Sequence, residues 1–205
     1  MKDLSQALAE ISAIRAQVAR GTQFRGYGPA SVAASGCLAW VVASVQWWWS
    51  KDPDGGAASF LAVWVTTAAI CVVLSTLETI VRARRVHSEF AGEMIRSAVE
   101  QFLPAMMVGV LLTGVFLLAA STDLWMLPGL WEVIFSLGVF ASCRFLPRQM
   151  FGVGLWYLGC GVTCLMVESG PRTLSPWEMG IPFGVGQLLV AAVLRYGFEE
   201  SVEER

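Results

Sequence analysis

Only one histidine, His87, occurs in the 205 residues, and charged residues make up just 15% of them. A soluble domain usually carries about 25% charged residues. One histidine rules out a haem held by two histidines within the chain, and it removes the donors for most chlorophyll and di-metal sites. There is no G-x-x-x-x-G-K-[ST] phosphate loop, no H-E-x-x-H zinc pair and no G-x-S-x-G elbow. Gly26-Tyr-Gly28 and Gly184-Val-Gly186 are too short to mark a nucleotide site. No serine has a histidine inside an apolar stretch to activate it. The formal net charge is -2, so no basic excess points to nucleic acid. These absences weigh against an enzyme, and neither a cofactor nor a metal is expected.

What the chain has instead is apolar length. Hydrophobic residues make up 56% of it, and they run in long charge-free stretches separated by short polar ones. A bilayer core about 30 Å thick needs about 20 helical residues. Six stretches meet that need, at 29–49, 59–81, 100–120, 124–144, 150–167 and 176–196. They must be helical, because backbone groups in lipid need partners within their own segment. The expected fold is therefore all-α. It is a polytopic membrane bundle of six transmembrane helices over 29–197, preceded by a cytoplasmic segment 1–28 and followed by an acidic tail 198–205.

Basic residues set the orientation. Of the fourteen lysines and arginines, only Lys51 and Arg172 fall on one side of the predicted spans. The other side carries Lys2, Arg15, Arg20, Arg25, Arg82, Arg84, Arg85, Arg96, Arg144, Arg148, Arg195 and Arg205. Cytoplasmic connections carry the excess of basic residues, so both termini are expected in the cytoplasm. Aromatic placement agrees. Trp47, Trp48, Trp49, Trp64, Trp125, Trp131 and Trp177 sit near outer span ends, and Tyr27 and Tyr196 near inner ends, at the headgroup level that such rings favour.

Residues 3–20 differ in kind. Leu4, Leu8, Ile11, Ile14 and Val18 recur at helical spacing among Lys2, Asp3, Glu10 and Arg15, which predicts an amphipathic helix of about four turns. It can lie on the inner leaflet or form a docking surface for a partner or a second copy. Residues 82–98 are expected as the one long cytoplasmic loop, with the arginine-rich start continuing the second helix.

The five cysteines, Cys37, Cys71, Cys143, Cys160 and Cys164, lie in or beside apolar spans and read as small packing residues. Small residues also mark helix crossings: Ala30 with Ala34, Ala39 with Ala43, then Gly152, Gly154, Gly159 and Gly161, and Gly180, Gly184 and Gly186 around Pro182. More glycines stand on the fifth span than one contact needs, which suggests self-association or a protein partner. Ser175-Pro176-Trp177-Glu178 has the form of a capping box opening the sixth helix. Pro182 removes one backbone bond there.

Ionisable and amide groups inside the membrane are the functional candidates. Glu78 lies four before Arg82, and Glu100 four after Arg96. With Arg144 at the same level, these five predict an interfacial ion network. Glu132 has no basic neighbour at helical spacing. If its helix opens at Leu124 it lies about 12 Å in, and if at Pro128 about 6 Å, at 1.5 Å per residue. The deep case makes it a buried acid able to hold a proton; the shallow case makes it a helix-end carboxylate. Gln187 falls about 16 Å into the sixth helix, near mid-membrane. Glu132 and Gln187 are the candidate binding pair.

The stretches Glu100-Gln-Phe-Leu-Pro104, Leu127-Pro-Gly-Leu-Trp131 and Met179-Gly-Ile-Pro-Phe-Gly-Val-Gly-Gln187 resemble a family of bacterial six-span membrane proteins with no assigned activity. The resemblance runs from about Phe24 onward and implies a bacterial plasma (inner) membrane location. The leading functional expectation is a non-enzymatic accessory subunit, or a tethering or sensing partner of another protein. The alternative is a small transporter or channel that uses Glu132 and Gln187.

The topology is open to direct test. Asp54→Cys and His87→Cys in a cysteine-free background, probed with an impermeant thiol reagent on intact cells, should label at 54 and not at 87. Labelling at 87 alone would contradict the predicted orientation.

Overall fold

The computed structural model describes residues 29–49, 56–85, 89–119, 121–143, 146–167 and 174–203. The predicted amphipathic helix at 3–20 lies outside the described residues. Six α-helices and one 3₁₀ turn account for what is described: α1 Pro29–Trp49, α2 Ala57–Arg85, α3 Glu89–Ala119, the 3₁₀ turn Ser121–Met126, α4 Leu127–Ser142, α5 Met150–Met166 and α6 Pro176–Glu203. Five stretches within these helices are long and apolar enough to cross a membrane: Pro29–Trp49, Ala57–Glu78, Glu100–Ala119, Asp123–Ser142 and Pro176–Tyr196. The sixth, α5, has 17 residues and so spans about 25 Å, a little short of the hydrocarbon core.

The helices are longer at the predicted cytoplasmic side than their apolar stretches. The second helix continues through Arg85, as its arginine-rich end suggested, and α3 begins at Glu89. The expected loop at 82–98 is therefore mostly helix, with only 86–88 between the two elements. Polarity marked that segment as non-membrane, but leaving the membrane does not end a helix. Starting α3 at Glu89 also places Pro104 inside a helix, where the apolar pattern alone had put it near the start. Likewise α6 runs on into the acidic tail as far as Glu203.

Helical hydroxyls in this chain bond back to their own backbone. Ser44, Thr67, Thr76, Thr113, Ser142 and Thr163 each donate to the carbonyl four residues earlier, at 2.7–2.9 Å. Such local bonds let polar side chains sit in an apolar solvent without a second partner.

Close approach of backbones builds the core. The broadest contact is α1 along α6, followed by α4 on α5 and α3 on α4. On α1 the buried face is Val32, Gly36, Ala39 and Ala43. Ala39 and Ala43 thus do what their spacing predicted, whereas Ala30 and Ala34 are exposed. The first helix turns its Gly36 face, not its Ala30 face, to the partner. A Cβ at Gly36 would stand 2.8 Å from the Gly184 carbonyl oxygen, and one at Gly180 would stand 2.5 Å from Ala43 Cβ. At the α4–α5 crossing, a Cβ at Gly161 would meet the Gly129 carbonyl oxygen at 2.7 Å and Val133 Cγ2 at 2.9 Å. Gly152 and Gly159, on the same helix, face open space. The glycines of α5 therefore divide into a packed pair, Gly154 and Gly161, and an outward pair.

Two apolar clusters form. One joins Ala39, Ala43, Phe60, Leu61, Trp64, Leu127 and Met179, near the predicted outer ends. The other joins Val32, Met150, Val153, Tyr157, Ala191 and Leu194, towards the inner ends. Phe183 packs against both. Trp64 is buried in the first cluster and is not part of a surface belt, whereas Trp47, Trp48 and Trp49 are exposed, as interfacial rings should be. By contrast, α2 has α1 as its main neighbour and α3 has α4. No residue of the apolar stretch of α3 is buried.

The two kinds of glycine on α5 should respond differently to a methyl group. Gly161→Ala should destabilise the protein by about 1–3 kcal/mol, the usual cost of overpacking a tight site. Gly159→Ala should cost nothing measurable. Thermal unfolding of both variants in one detergent separates them, and equal melting temperatures would contradict the crossing.

Candidate functional site in the bundle core

Four aromatic rings meet where α3, α4, α5 and α6 converge. Phe135 lies 4.6 Å from Tyr157 and 5.3 Å from Phe183, centroid to centroid, and Phe102 stands edge-on to Phe135 at 5.1 Å. Tyr157 and Phe183 are 5.3 Å apart. Edge-to-face and tilted arrangements at these separations are favourable for quadrupolar rings. Gly186 makes the space for Tyr157, because a Cβ there would collide with the phenol ring and its hydroxyl.

Beside this aromatic knot lie the polar groups. Glu132, on the second turn of α4, has 0% of its surface exposed. Both of its carboxyl oxygens are buried and neither has a hydrogen-bond partner among the described residues. Ser136, one turn further and equally buried, spends its hydroxyl on the Val133 carbonyl at 2.7 Å. Tyr157 is also fully buried, and its hydroxyl is unpartnered. Glu132 and Glu178 act on each other electrostatically, and so do Glu132 and Tyr157. Gln187 comes near the Tyr157 hydroxyl without making a bond of ordinary geometry.

The two starting points considered for the fourth helix resolve into something between them. The α-helix proper begins at Leu127, with Pro128 in its first turn, and a 3₁₀ turn carries Leu124–Met126. Glu132 therefore lies only about 7 Å along the α-helix axis. It is nonetheless fully covered, since α5 crosses α4 at Gly129 and Gly161, with Glu132 Cβ 3.0 Å from where a Gly161 Cβ would be. Shallow position and full burial coexist because a glycine crossing closes over the residue.

Tyr157 is the functional candidate that the sequence reading left out. It connects the candidate pair, since it is the neighbour that Glu132 and Gln187 share. A signal was available. Tyrosine favours the membrane interface, yet Tyr157 falls seven residues inside the fifth span, far from either end. Chemically, a phenol can donate to a carboxylate or accept from a carboxylic acid, and a buried carboxyl with spare oxygens can hold a proton or a small cation.

The other candidates are less central. The side chains of Arg82 and Arg96, and the whole of Arg144, lie outside the described residues; Glu78 is half-buried and Glu100 exposed. The helices α2 and α3 that carry the two glutamates are not among the closely packed pairs. Glu178 takes its predicted place in a capping box. The Ser175 hydroxyl accepts from the Trp177 N–H at 3.4 Å, and the Glu178 carboxylate accepts from the Ser175 backbone. All five cysteines are free thiols, and no cluster of three metal-ligating side chains forms among the described residues.

No known protein family, curated protein or solved structure matches the chain.

Proposed function

We propose that this is a six-span protein of the bacterial plasma membrane, with both termini in the cytoplasm, that exchanges a proton or small cation at Glu132. The class is a small ion-coupled transporter or channel. The observation that carries the proposal is a fully buried glutamate whose two oxygens have no partner. An uncompensated carboxylate in an apolar interior costs several kcal/mol. Helical hydroxyls such as those of Thr113 and Thr163 avoid that cost by bonding to their own backbone. Glu132 has no such remedy, and it is the one acid among the described residues with both oxygens buried and unpartnered. Tyr157 and Gln187 are its neighbours, and they extend the polar line from α4 through α5 to α6. The short apolar helix α5 supplies the sixth span in this reading; its Tyr157 is as deeply buried as any residue of the longer helices. The twelve basic residues on one side support the orientation, and the family resemblance supports a bacterial membrane.

A second reading is a non-enzymatic accessory or tethering subunit that associates with itself or with another protein in the lipid bilayer. It is favoured by α2 and α3, whose apolar residues Val65, Val73, Leu77, Val108, Val110 and Leu111 are about half exposed or more. Those faces suit lipid or a partner helix equally well, so this reading stands second.

Dicyclohexylcarbodiimide, an apolar reagent that couples to protonated carboxyls, tests the leading reading. Mass spectrometry of the native chain in lipid nanodiscs should find the adduct on Glu132, with labelling that falls as pH rises. Glu132→Gln should lose the adduct. Absence of labelling at Glu132 across the accessible pH range would remove the exchange site.

A further inference from the structure

An open groove of about 450 Å³ runs along the surface between α5 and α6. Its α5 wall is Leu155, Trp156, Gly159, Cys160, Thr163 and Cys164; its α6 wall is Trp177, Glu178, Ile181 and Pro182. The groove is apolar overall, with a carboxylate at one end and two indoles flanking it. No basic side chain lines it among the described residues.

We propose that this groove binds a lipophilic organic cation, with Glu178 as its counter-charge and Trp156 and Trp177 as its aromatic walls. The proposal deepens the exchange reading, since the cargo would be the cation whose binding is linked to Glu132.

Charge complementarity decides the class of occupant. Glu178 lines the groove, and the buried Glu132 acts electrostatically with Glu178 and with Cys160 and Cys164 of the groove wall. Glu178 lines the groove and no described base does, so an anion is disfavoured. A low-dielectric wall sharpens the effect of a charge of one sign inside a cleft. A neutral lipid chain would gain nothing from the carboxylate. An inorganic cation would gain little from the indoles and would have to leave its hydration shell for an apolar wall. A cation with an apolar body uses every part of the lining, because ring faces attract positive charge and apolar walls take the body.

Three details fix the walls. The Trp156 Nε1–H donates to the Pro182 carbonyl oxygen at 3.1 Å, which holds the indole against α6. Gly159 has no neighbour within 4 Å of where a Cβ would stand, so the groove floor stays open there. Pro182, within the groove, has no N–H, so the Glu178 carbonyl four residues earlier lacks its usual helical donor. The capping role of Glu178 does not exhaust it, because a carboxylate has about four acceptor directions and the cap uses one. Mutation can remove the charge and keep the cap, since glutamine serves at that capping position as well as glutamate.

The test uses the full chain in nanodiscs and two probes of one shape and opposite charge, tetraphenylphosphonium and tetraphenylborate. The phosphonium should bind saturably and the borate should not. Glu178→Gln should weaken phosphonium binding about tenfold or more with an unchanged melting temperature, and Trp177→Leu should weaken it by a smaller factor. Bound phosphonium should also slow N-ethylmaleimide labelling of Cys160 and Cys164, while Cys37, exposed on α1, labels at its usual rate. Equal binding of the two ions, or binding unchanged by Glu178→Gln, would overturn the groove. If that happens while Glu132 still takes carbodiimide, the groove assignment fails alone. If the phosphonium binds selectively but Glu132 takes no carbodiimide, the groove stands and its link to the exchange site is overturned.

Discussion

A carboxyl group enclosed by apolar helices, with neither oxygen bonded, is the most costly feature of this structure, and the rest is arranged around it. Glu132 has none of its surface exposed, so bulk solvent does not reach the group. The helix that carries it cannot help either, because its backbone groups beyond the first turn are already spent on each other. Only another element can meet the need, and the elements that surround Glu132 supply a phenol, an amide nearby and a second acid in place of a base. Stability alone gives no reason for such a residue, since an apolar side chain of similar volume would pack there at lower cost. A binding role does give a reason.

What allows the burial is the use of glycine at crossings. Gly129 with Gly161 brings α4 onto α5 above Glu132, and Gly36 with Gly180 and Gly184 brings α1 onto α6. In lipid the hydrophobic effect does not drive helices together, so association rests on close packing and polar contacts. The same close approach that holds the bundle also seals the acid. Where glycines face outward, as at Gly159, the surface is left open instead, and there the groove forms. One helix thus presents a sealed face and an open face on opposite sides of the same backbone.

Much of the fold was legible because membrane solvent imposes simple rules. Apolar length located the apolar part of each helix, though α3 starts eleven residues earlier and α6 ends seven residues later than read, and the capping box marked the start of α6 at Pro176. Sequence failed where helices run past their apolar stretches, since the segment at 89–98 is polar enough to read as loop and yet folds as helix. It also failed at helical faces. Ala30 with Ala34 and Ala39 with Ala43 have the same spacing, and only the partner helix decides which pair is buried. For the site, Glu132 and Gln187 stood out by type, but Tyr157 was passed over among the aromatics, and the groove was invisible because it joins two helices whose register no single stretch of sequence encodes.

The central claim is that Glu132 is kept in spite of its cost, for binding and not for packing. Thermal unfolding of Glu132→Leu beside the wild-type chain in the same detergent tests it most directly. An unpartnered buried polar group costs about 1–3 kcal/mol. The account predicts that the leucine variant is at least as stable as the wild type, with a melting temperature that rises. A loss of stability of about 2 kcal/mol or more would mean that the carboxyl makes bonds that hold the bundle together, and would contradict the account.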